Sequence, residues 1–469
     1  MTTSLLWLRR DLRRKDHPAL LDAAAGATVL PVYIIDPDEV ATMGPARRGW
    51  LAATLLATSD LFQGRLCVRM GDPAELLPPL ALAVGARTVH VSTETTPRGW
   101  ERDGRVCDAL ANAGIVLAET GSPYAVTPGR IRTGSGRGYR VFGAFERAWR
   151  AHGWPAPPGA PAELRLLEAP RPADLRAREY YPWIAREVRE MLENWRAACP
   201  VPLPDAGEAA AHRAWAEFRS ERLDRYSDDR DRVDLPSTSR LSPYLALGVI
   251  HPRTLLADLA GHESPGVAKF VSELAWREFY ADVLRHQPDS LTADLLPSLA
   301  GMMQNEPDDR FDAWREGRTG FPLVDAGMRQ LRAEGWLPNR VRMVVASFLV
   351  KDLHLPWQLG AQHFRELLID YDAASNAHNW QWVAGTGTDA APYFRVFNPD
   401  TQAATADPDG RYVRSHVPEL AHLPGPAALR PWKHPDGYTC GYPERILDHA
   451  EERIEALTRY RFAVDQRGR

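Results

Sequence analysis

Residues 370–382, which read DYDAASNAHNWQW, bring together side chains that could hold a cofactor. Asp370 and Asp372 could ligate a metal ion, but without further ligand spacing hydrogen bonds to ribityl or ribose hydroxyls are the better interpretation. On a helix, Asn376 and Trp380 share one face at i,i+4, whereas Trp382 points about 200° away from Trp380. The pattern predicts one indole that faces a buried cofactor and a second that faces a ligand.

A carboxylate and an aromatic ring stand together in residues 270–280, which read FVSELAWREFY. On a helix, Glu273 and Trp276 are i,i+3 neighbours. This pair suits a flat ligand that offers hydrogen bonds at its edge, such as a nucleobase. A packed aromatic helix with a surface carboxylate explains the segment as well, so one helix does not decide between the two interpretations.

The segment 336–343, which reads WLPNRVRM, predicts the start of another helix. Asn339 and Met343 would lie on one face of it at i,i+4. Around this start the chain is locally basic, with one acid, Glu334, among five basic residues between 329 and 351: Arg329, Arg332, Arg340, Arg342 and Lys351. Contacts to phosphates and solvated helix faces explain this patch equally well.

A hydroxyl-rich turn follows Tyr226 at residues 237–242, which read STSRLS and lead into a predicted short helix at 243–248. Hydroxyls and backbone N–H groups at the start of a helix suit a diphosphate. An ordinary serine N-cap explains the turn if it is taken alone.

Composition limits the class of protein. The 469 residues are 44% hydrophobic and 25% charged, as in globular proteins, which excludes a disordered, collagen-like or membrane-spanning chain. With 57 basic and 61 acidic residues the net charge is −4, which argues against binding nucleic acid through a basic tail but permits a local basic groove. Fifteen tryptophans exceed the needs of an ordinary core, so stacking and electron transfer compete with packing as explanations.

The chain carries no sign of export. Its four cysteines are far apart and include no CxxC, which favours neither a zinc site nor a disulfide framework and fits a reducing cytoplasm. Charged residues from Arg9 onwards stand where a signal peptide would be apolar. We therefore expect a cytoplasmic protein with no membrane association and no obligate protein partner.

The first part of the chain predicts an α/β domain. Strand-like runs at 5–8, 29–35, 66–69, 88–91 and 115–118 alternate with helical runs. Such a rhythm predicts a Rossmann-like, doubly wound sheet of five parallel strands. The turn at 9–14 has no GxGxxG, so no dinucleotide site is expected there.

The later part predicts an all-helical domain, with helical spacing at 209–226, 265–286, 322–334, 339–353 and 362–369. Six prolines between 154 and 172 should block regular structure and mark a linker. The predicted domains are 1–126 (α/β), 127–206 (linker) and 207–469 (all-helical).

Taken in order, these segments resemble one family, the DNA photolyases and cryptochromes, and most closely the class I photolyases that repair cyclobutane pyrimidine dimers. The resemblance covers nearly the whole chain, through motifs at 6–13, 238–242, 273–280, 321–326, 339–343, 379–382 and 394–399. It implies an antenna-binding α/β domain and a helical domain that holds FAD in a folded, U-shaped form.

The resemblance also implies the cofactor-binding residues. Arg342 would pair with Asp370, Asp372 would lie near the ribityl and adenine side, and Asn376 would lie beside flavin N5. The remaining positions matched to FAD are Tyr226, Thr238, Ser239, Arg240, Leu241, Ser242, Phe270 and Arg277. Phe270 stands where relatives often have tryptophan, a change that keeps an aromatic wall.

The implied activity is light-dependent DNA repair. Reduced FAD, excited by blue light, would give an electron to a dimer flipped out of UV-damaged DNA, split it into two pyrimidines and recover the electron. Flipping a damaged pair costs only a few kcal/mol, so selectivity begins there. A cryptochrome photoreceptor is the alternative, but its usual marks, loss of the dimer-binding residues and a long C-terminal extension, are missing.

The lesion site implied by the resemblance has three kinds of contact. Glu273 and Asn339 would bond the dimer edge, and Asn339 favours a cyclobutane dimer because relatives that repair the 6-4 photoproduct carry histidine there. Trp276 and Trp382 would stack on the dimer and Met343 would line the pocket. The positions matched to DNA contacts are Arg230, Arg340, Arg395 and Gln402.

Two departures from the family pattern stand out. Trp380 and Trp357 match the first two members of an electron-transfer chain to flavin, but the third position falls at Met303 or Gln304. We therefore expect slow photoreduction of oxidised flavin.

The second departure concerns the antenna. The segment 97–103 lacks the Asn-Glu pair of folate-binding relatives and is similar to deazaflavin-binding ones, with Glu101 and Arg47 as the matched residues, although Ala246 replaces a lysine. The expected antenna is 8-hydroxy-5-deazaflavin. Methenyltetrahydrofolate, flavin mononucleotide or an empty site are the alternatives.

Overall fold

The structure is a computed structural model that describes residues 2–170, 185–296, 302–388 and 395–465. Part of the predicted linker (171–184) and Phe394 of the last motif lie outside these residues. Among the described residues, no helix combines the length and the apolarity that a membrane crossing needs.

The N-terminal elements alternate as predicted. In chain order they are β1 (Thr2–Leu8), α1 (Pro18–Ala24), β2 (Ala27–Ile35), α2 (Pro37–Ala41), α3 (Pro45–Leu61), β3 (Cys67–Met70), α4 (Pro73–Ala83), β4 (Ala86–Val91), α5 (Pro97–Asn112) and β5 (Val116–Glu119). The strands are parallel and lie in the order β3-β2-β1-β4-β5, so the chain reverses its winding direction between β1 and β4. The predicted doubly wound parallel sheet is confirmed.

Both faces of this sheet are buried, which explains why its strands are almost continuously apolar. Leu5 and Trp7 of β1 pack on one side with residues of α4 and α5, and Leu6 and Leu8 pack on the other with α1 and α3. Successive side chains of a strand point to opposite faces, so a strand covered on both sides needs apolar residues at every position.

The connecting segment contains more regular structure than the prolines predicted. Helices α6 (Phe142–His152) and α7 (Ala185–Ala197) lie within it, and the two-residue strand β6 (Arg165–Leu166) pairs with Thr28 and Val29 of β2. The expectation of no regular structure between 154 and 172 was wrong at β6, because neither of its two residues is a proline and β2 has free pairing positions beyond β3.

In the described residues from 207 onwards, all regular secondary structure is helical, as predicted. Its α-helices are α8 (Glu208–Glu221), α9 (Tyr226–Asp229), α10 (Ser242–Ala246), α11 (Pro252–Asp258), α12 (Pro265–His286), α13 (Asp309–Glu316), α14 (Pro322–Glu334), α15 (Asn339–Ser347), α16 (Trp357–Leu367), α17 (Ala373–Ala384), α18 (Pro399–Ala406), α19 (Arg411–His416) and α20 (His449–Asp465). Short 3₁₀ turns lie at Pro288–Leu291, Pro418–Leu420, Gly425–Leu429 and Pro431–Lys433. A π-helical turn (Phe348–Asp352) ends the helix predicted at 339–353.

The turn after β1 joins the two parts of the molecule. Leu12 N donates to Leu247 O at 3.3 Å, Arg10 Nε to Ala246 O at 3.0 Å and Arg13 Nη1 to Gly248 O at 2.9 Å. Gly248 has a φ of +63°, and a Cβ there would lie 1.9 Å from Arg10 O, so the approach requires glycine. The turn at 9–14, which lacks a GxGxxG motif, therefore holds the α/β part and the helical part together.

Candidate active site

Helix α17 packs against α12 and α15, and several of the residues predicted to hold a flavin lie on these helices or directly before α17. Arg342 of α15 donates from Nη2 to Asp370 Oδ2 at 2.7 Å and from Nε to Leu337 O at 3.0 Å. The Asp370 side chain is only 1% exposed, and its Oδ1 is buried without a hydrogen-bond partner. A buried acceptor without a donor is costly, so this oxygen fits a ligand N–H.

Asp372 caps α17, which begins at Ala373, and Asp372 Oδ1 accepts from Ser375 N at 2.9 Å. Its other oxygen pairs with Arg10, from the turn after β1. Burial disfavours a charged carboxylate, but Arg10 and Arg277 more than offset it and hold the pKa of Asp372 well below its usual value. Asp372 therefore stays ionised and links the domains beside the predicted cofactor.

Arg277 is held by protein atoms next to Asp372. Its guanidinium donates to Pro123 O at 3.0 Å and to Leu245 O at 3.3 Å, and lies 4.2 Å from the ring centroid of Tyr124. In this arrangement Arg277 contributes positive charge to the site and joins the end of the α/β domain, at Pro123 and Tyr124, to α10 and α12.

Asn376 lies on the predicted face of α17. Its Nδ2 donates one hydrogen to Ala361 O at 3.0 Å, which fixes the orientation of the amide and leaves Oδ1 as an acceptor for a ligand. Asn376 and Trp357 line the same interdomain cavity of 520 Å³, together with Leu247 and Ala377.

Trp380 is buried in an aromatic cluster behind this face. Its ring lies 5.0 Å from Phe364 and 6.4 Å from Trp314, both edge-on, and its Nε1 has no partner. A Cβ at Gly360 would lie 2.1 Å from the indole, so only glycine fits beside it.

Trp357 begins α16 and donates from Nε1 to Asp294 Oδ1 at 2.8 Å. A second, smaller cavity is lined by both Trp357 and Met303, and the Met303 side chain is 60% exposed. Methionine thus stands at a solvent-facing position beside the second tryptophan of the predicted chain.

Only some side chains of the hydroxyl-rich turn at 237–242 are directed towards the predicted cofactor site. Ser242 Oγ accepts from Trp336 Nε1 at 3.1 Å, Ser239 Oγ accepts from Leu241 N at 3.4 Å, and Thr238 lines a cavity of 560 Å³. Arg240 has a φ of +50°, and its guanidinium reaches Glu334 at 2.9 Å. The side chain of Arg240 is therefore directed at an acid of α14, so only its backbone could contribute to the predicted diphosphate site.

Tyr226 and Phe270 form one aromatic wall. Their rings meet edge-on with centroids 5.7 Å apart, and Trp215 stacks on Phe270 at 5.3 Å. Phenylalanine at 270 thus packs into an aromatic cluster.

The residues predicted at the lesion lie on neighbouring helices, α12, α15 and α17. Glu273 pairs with Arg230 and, at 3.0 Å, with Lys269. Asn339 Nδ2 contacts Met343 Sδ at 3.6 Å, as their i,i+4 spacing predicts.

The predicted DNA contacts surround these side chains. Arg340 donates to Asp231 at 2.5 Å and lies 3.4 Å from Gln402. Arg395 is exposed and Trp382 is partly exposed. The sequence predicts no role for Asp231, because its partner Arg340 is 109 residues away in the chain.

Comparison with known proteins identifies the family. A family model described as DNA photolyase matches residues 4–162, and one described as the FAD binding domain of DNA photolyase matches residues 270–462. The deoxyribodipyrimidine photo-lyase of Halobacterium salinarum is 37% identical over 486 residues, which cover 97% of this chain and 98% of that protein. The chain belongs to the DNA photolyase family.

Solved photolyases have the same fold. A bacterial class III photolyase from Agrobacterium tumefaciens superposes with a TM-score of 0.86 at 35% identity, covering 99% of this chain and 98% of that one. An archaeal photolyase from Sulfolobus tokodaii, described as holding two FAD molecules, gives a TM-score of 0.84 at 26% identity, covering 98% and 100%. The predicted family, fold class and FAD-dependent photo-lyase activity are therefore confirmed, whereas the class I assignment stays a prediction.

This photolyase has its interdomain cavity at the carboxyl ends of β1 and β4, where the winding of the sheet reverses. Ligands of doubly wound sheets bind at such a position. Arg47 lines the cavity, with its guanidinium 4.5 Å from the ring centroid of Tyr371. Glu101 does not: it is exposed, and Arg98, Gly99 and Arg102 are the residues of α5 that line the cavity. Residue 101 is about 100° round the helix axis from Arg102, which turns its side chain to solvent, so the structure does not place Glu101 at this cavity as the antenna prediction required.

Proposed function

We propose that this photolyase repairs cyclobutane pyrimidine dimers in UV-damaged DNA. The observation that carries the proposal is that one helix, α15, serves both sites. Arg342 points to Asp370 on the flavin side, and Asn339 and Met343 lie in contact one turn apart on the lesion side. Asn339 and Arg342 are three residues apart, about 4.5 Å along the axis of α15, so a flavin and a base held by them would lie close together.

When bound in its reduced form, FAD would supply blue-light-driven one-electron chemistry for opening the cyclobutane ring. The following residues of the chain would hold it. Asp370 Oδ1 is a free buried acceptor for a ring N–H, and Arg342 fixes the carboxylate in place. Asn376 Oδ1 can accept from a protonated ring nitrogen, and the bond from Nδ2 to Ala361 O holds the amide in a fixed orientation.

The lesion side binds and orients the dimer. Glu273 offers carboxylate oxygens and Asn339 an amide to the base edges, and Trp276 offers a flat face for stacking. Arg230 and Arg340 supply the positive charge for the flanking phosphates, which position the duplex but do not read its sequence. These roles come from the family resemblance, and the contacts described above are compatible with them.

The test is repair itself. Wild-type protein with fully reduced FAD should restore a thymine-dimer oligonucleotide under blue light and leave it unchanged in the dark. Absence of repair in the light, with the flavin shown to be reduced by its spectrum, contradicts the proposal. A cryptochrome-like protein would bind FAD and give that negative result.

We propose 8-hydroxy-5-deazaflavin as a second chromophore in the part of the interdomain cavity lined by Arg47, Arg365 and Tyr371. The two guanidiniums lie 4.5 and 5.9 Å from the Tyr371 ring centroid, and Arg47 Nη1 and Arg365 Nε are buried without hydrogen-bond partners, so the cavity can bind an anionic group there. Reconstitution should give the deazaflavin absorption band in wild-type protein and a weaker one in Arg365→Gln. Stronger retention of methenyltetrahydrofolate, flavin mononucleotide or a second FAD would assign the cavity to that compound instead.

The proposed cellular setting is the cytoplasm, with damaged DNA as the partner. All four cysteines are free, as is usual for a protein kept in a reducing compartment.

A further inference from the structure

Asp231 lies between the two arginines that the proposed function assigns to DNA phosphates, and the inference drawn here rests on that function. Asp231 Oδ2 accepts from Arg340 Nη2 at 2.5 Å, and Oδ1 lies 3.7 Å from Arg230 Nε. Arg230 follows α9, and Arg340 is in the first turn of α15. A single carboxylate therefore joins the phosphate-binding groups of two separate elements.

The position of this carboxylate is fixed by its turn. Arg232 N donates to Asp229 O at 2.9 Å, and Val233 N donates to Ala406 O at 2.9 Å, which anchors the turn to the end of α18. Arg232 is itself paired with Asp234 through two contacts of 2.8 Å. Asp231 is thus held beside the arginines by backbone bonds on both sides of it.

A second carboxylate completes what we call the phosphate-contact cluster: Lys269, Glu273, Arg230, Asp231 and Arg340. Arg230 pairs with Glu273 as well as with Asp231, so three cations share two acids. Glu273 has a role of its own at the dimer in the proposed function, but Asp231 has none. The Asp231 side chain is 43% exposed, so approaching DNA can reach it.

A phosphate that binds Arg340 must therefore displace a carboxylate and not merely water and loosely held ions. Exposed ion pairs of this kind contribute little to folding. Such a pair has more effect on DNA binding, because it decides whether the cation is free to neutralise a phosphate. Each phosphate neutralised by a free cation steepens the slope of log K against log salt by about 0.9.

We propose that Asp231 is an internal competitor for DNA phosphate. It occupies Arg340 and Arg230 in the free protein, is displaced when a duplex binds, and returns when repaired DNA leaves. The consequence is weaker and less salt-dependent binding to any duplex, which favours release of the product.

The test is Asp231→Asn, which removes the charge and keeps the shape. Binding to undamaged and dimer-containing duplexes is measured by fluorescence anisotropy over a range of KCl. We expect roughly two- to fivefold tighter binding of both duplexes at low salt. The salt slope should become steeper by up to about 0.9.

The matched control is Asp228→Asn, which makes the same charge change three residues away. The Asp228 carboxylate is exposed and accepts from Ser227 Oγ at 3.0 Å. It should change affinity and slope clearly less. Equal effects of the two substitutions would mean that net charge alone is responsible and would overturn the proposal, as would wild-type affinity and slope in Asp231→Asn.

A double substitution gives an independent check. In the Arg340→Gln background, Asp231→Asn should lose most of its gain, since its main partner is gone; an undiminished gain contradicts the proposal. Wild-type protein that binds neither duplex would instead count against the proposed function, so the two failures are distinguishable.

Discussion

The indole of Trp276 lies flat on the ring of Phe142, with centroids 3.7 Å apart and 8° between the planes. Phe142 begins α6 in the connecting segment, whereas Trp276 lies on α12. Phe279 and Tyr280 approach the same indole at 5.7 and 5.4 Å. One face of Trp276 is therefore covered by the protein, and the opposite face is the one that a dimer base would contact.

Replacing Phe142 should weaken lesion binding. Phe142→Leu removes an aromatic pair worth about 1 kcal/mol that holds Trp276 in its stacking orientation, so recovering that orientation on binding should cost up to roughly fivefold in affinity for a dimer-containing oligonucleotide. Phe145→Leu is the control, because Phe145 packs on Phe279 at 5.2 Å and loses the same volume from the same helix. An equal loss of dimer affinity in both variants would show that only general stability is affected.

Photoreduction should be limited by the step beyond Trp357. Met303 faces solvent and shares a cavity with Trp357, so Met303→Trp supplies the missing indole and should accelerate reduction of oxidised FAD under blue light. Absorption spectra during illumination with an external reductant measure the rate.

Two further variants identify the route. Trp357→Phe should abolish the residual reduction. If reduction survives and is lost in Trp314→Phe, the electron reaches Trp380 through Trp314, whose ring lies 6.4 Å away.

Asp370→Asn should reduce flavin retention. The substitution removes the charge that pairs with Arg342 and replaces a carboxylate whose free oxygen is buried. We expect a loss of at least tenfold in FAD affinity, since a charged partner left unpaired in a part-buried site is costly. Titration of the apoprotein with FAD, followed by flavin fluorescence, measures this affinity. The control is Asp400→Asn, which breaks the ion pair with Arg445 outside the site and should bind FAD normally.

Stability should depend on pH through Glu278. Burial raises the pKa of this carboxyl to about 7, although Ala125 N, Val126 N and Trp149 Nε1 donate to it. Because this pKa is higher in the folded state than in the unfolded state, protonation of Glu278 stabilises the fold. This contribution to the unfolding free energy is complete below the pKa of the unfolded state and is lost as the pH rises through 7.

Comparing wild type with Glu278→Gln separates the pH dependence of stability due to Glu278 from that due to the buried histidines, which are the same in both proteins. The unfolding free energy of wild type minus that of Glu278→Gln should be about 2 kcal/mol larger at pH 5.5 than at pH 8, measured by urea denaturation. A difference that does not change with pH would contradict the assignment.

Local patterns were predictable because they depend on neighbours in the chain. The five strands of the main sheet and helix α14 follow from the period of their apolar residues, and the Asn339–Met343 contact follows from i,i+4 spacing.

The family resemblance supplied most of the candidate site, but it could not show which atoms meet. Matching Arg240 to a diphosphate position did not reveal that its side chain turns to Glu334. Matching Glu101 to an antenna position did not reveal that it lies on the exposed face of α5. Both outcomes depend on the rotation of a residue about its own backbone or helix axis, which a motif does not record.

By itself the sequence determined the fold class, the identity of the residues available for FAD and DNA, and the family, because hydrophobic period and residue order are properties of the chain. Only the tertiary structure decided that Arg10 pairs with Asp372, Phe142 with Trp276 and Asp231 with Arg340. These partners are 109 or more residues apart in the chain, and their contacts form only when helices and sheet pack together. The hydrophobic period of the sequence permits this packing but does not specify it. Packing therefore fixes which charged side chains are free to bind a cofactor or a phosphate.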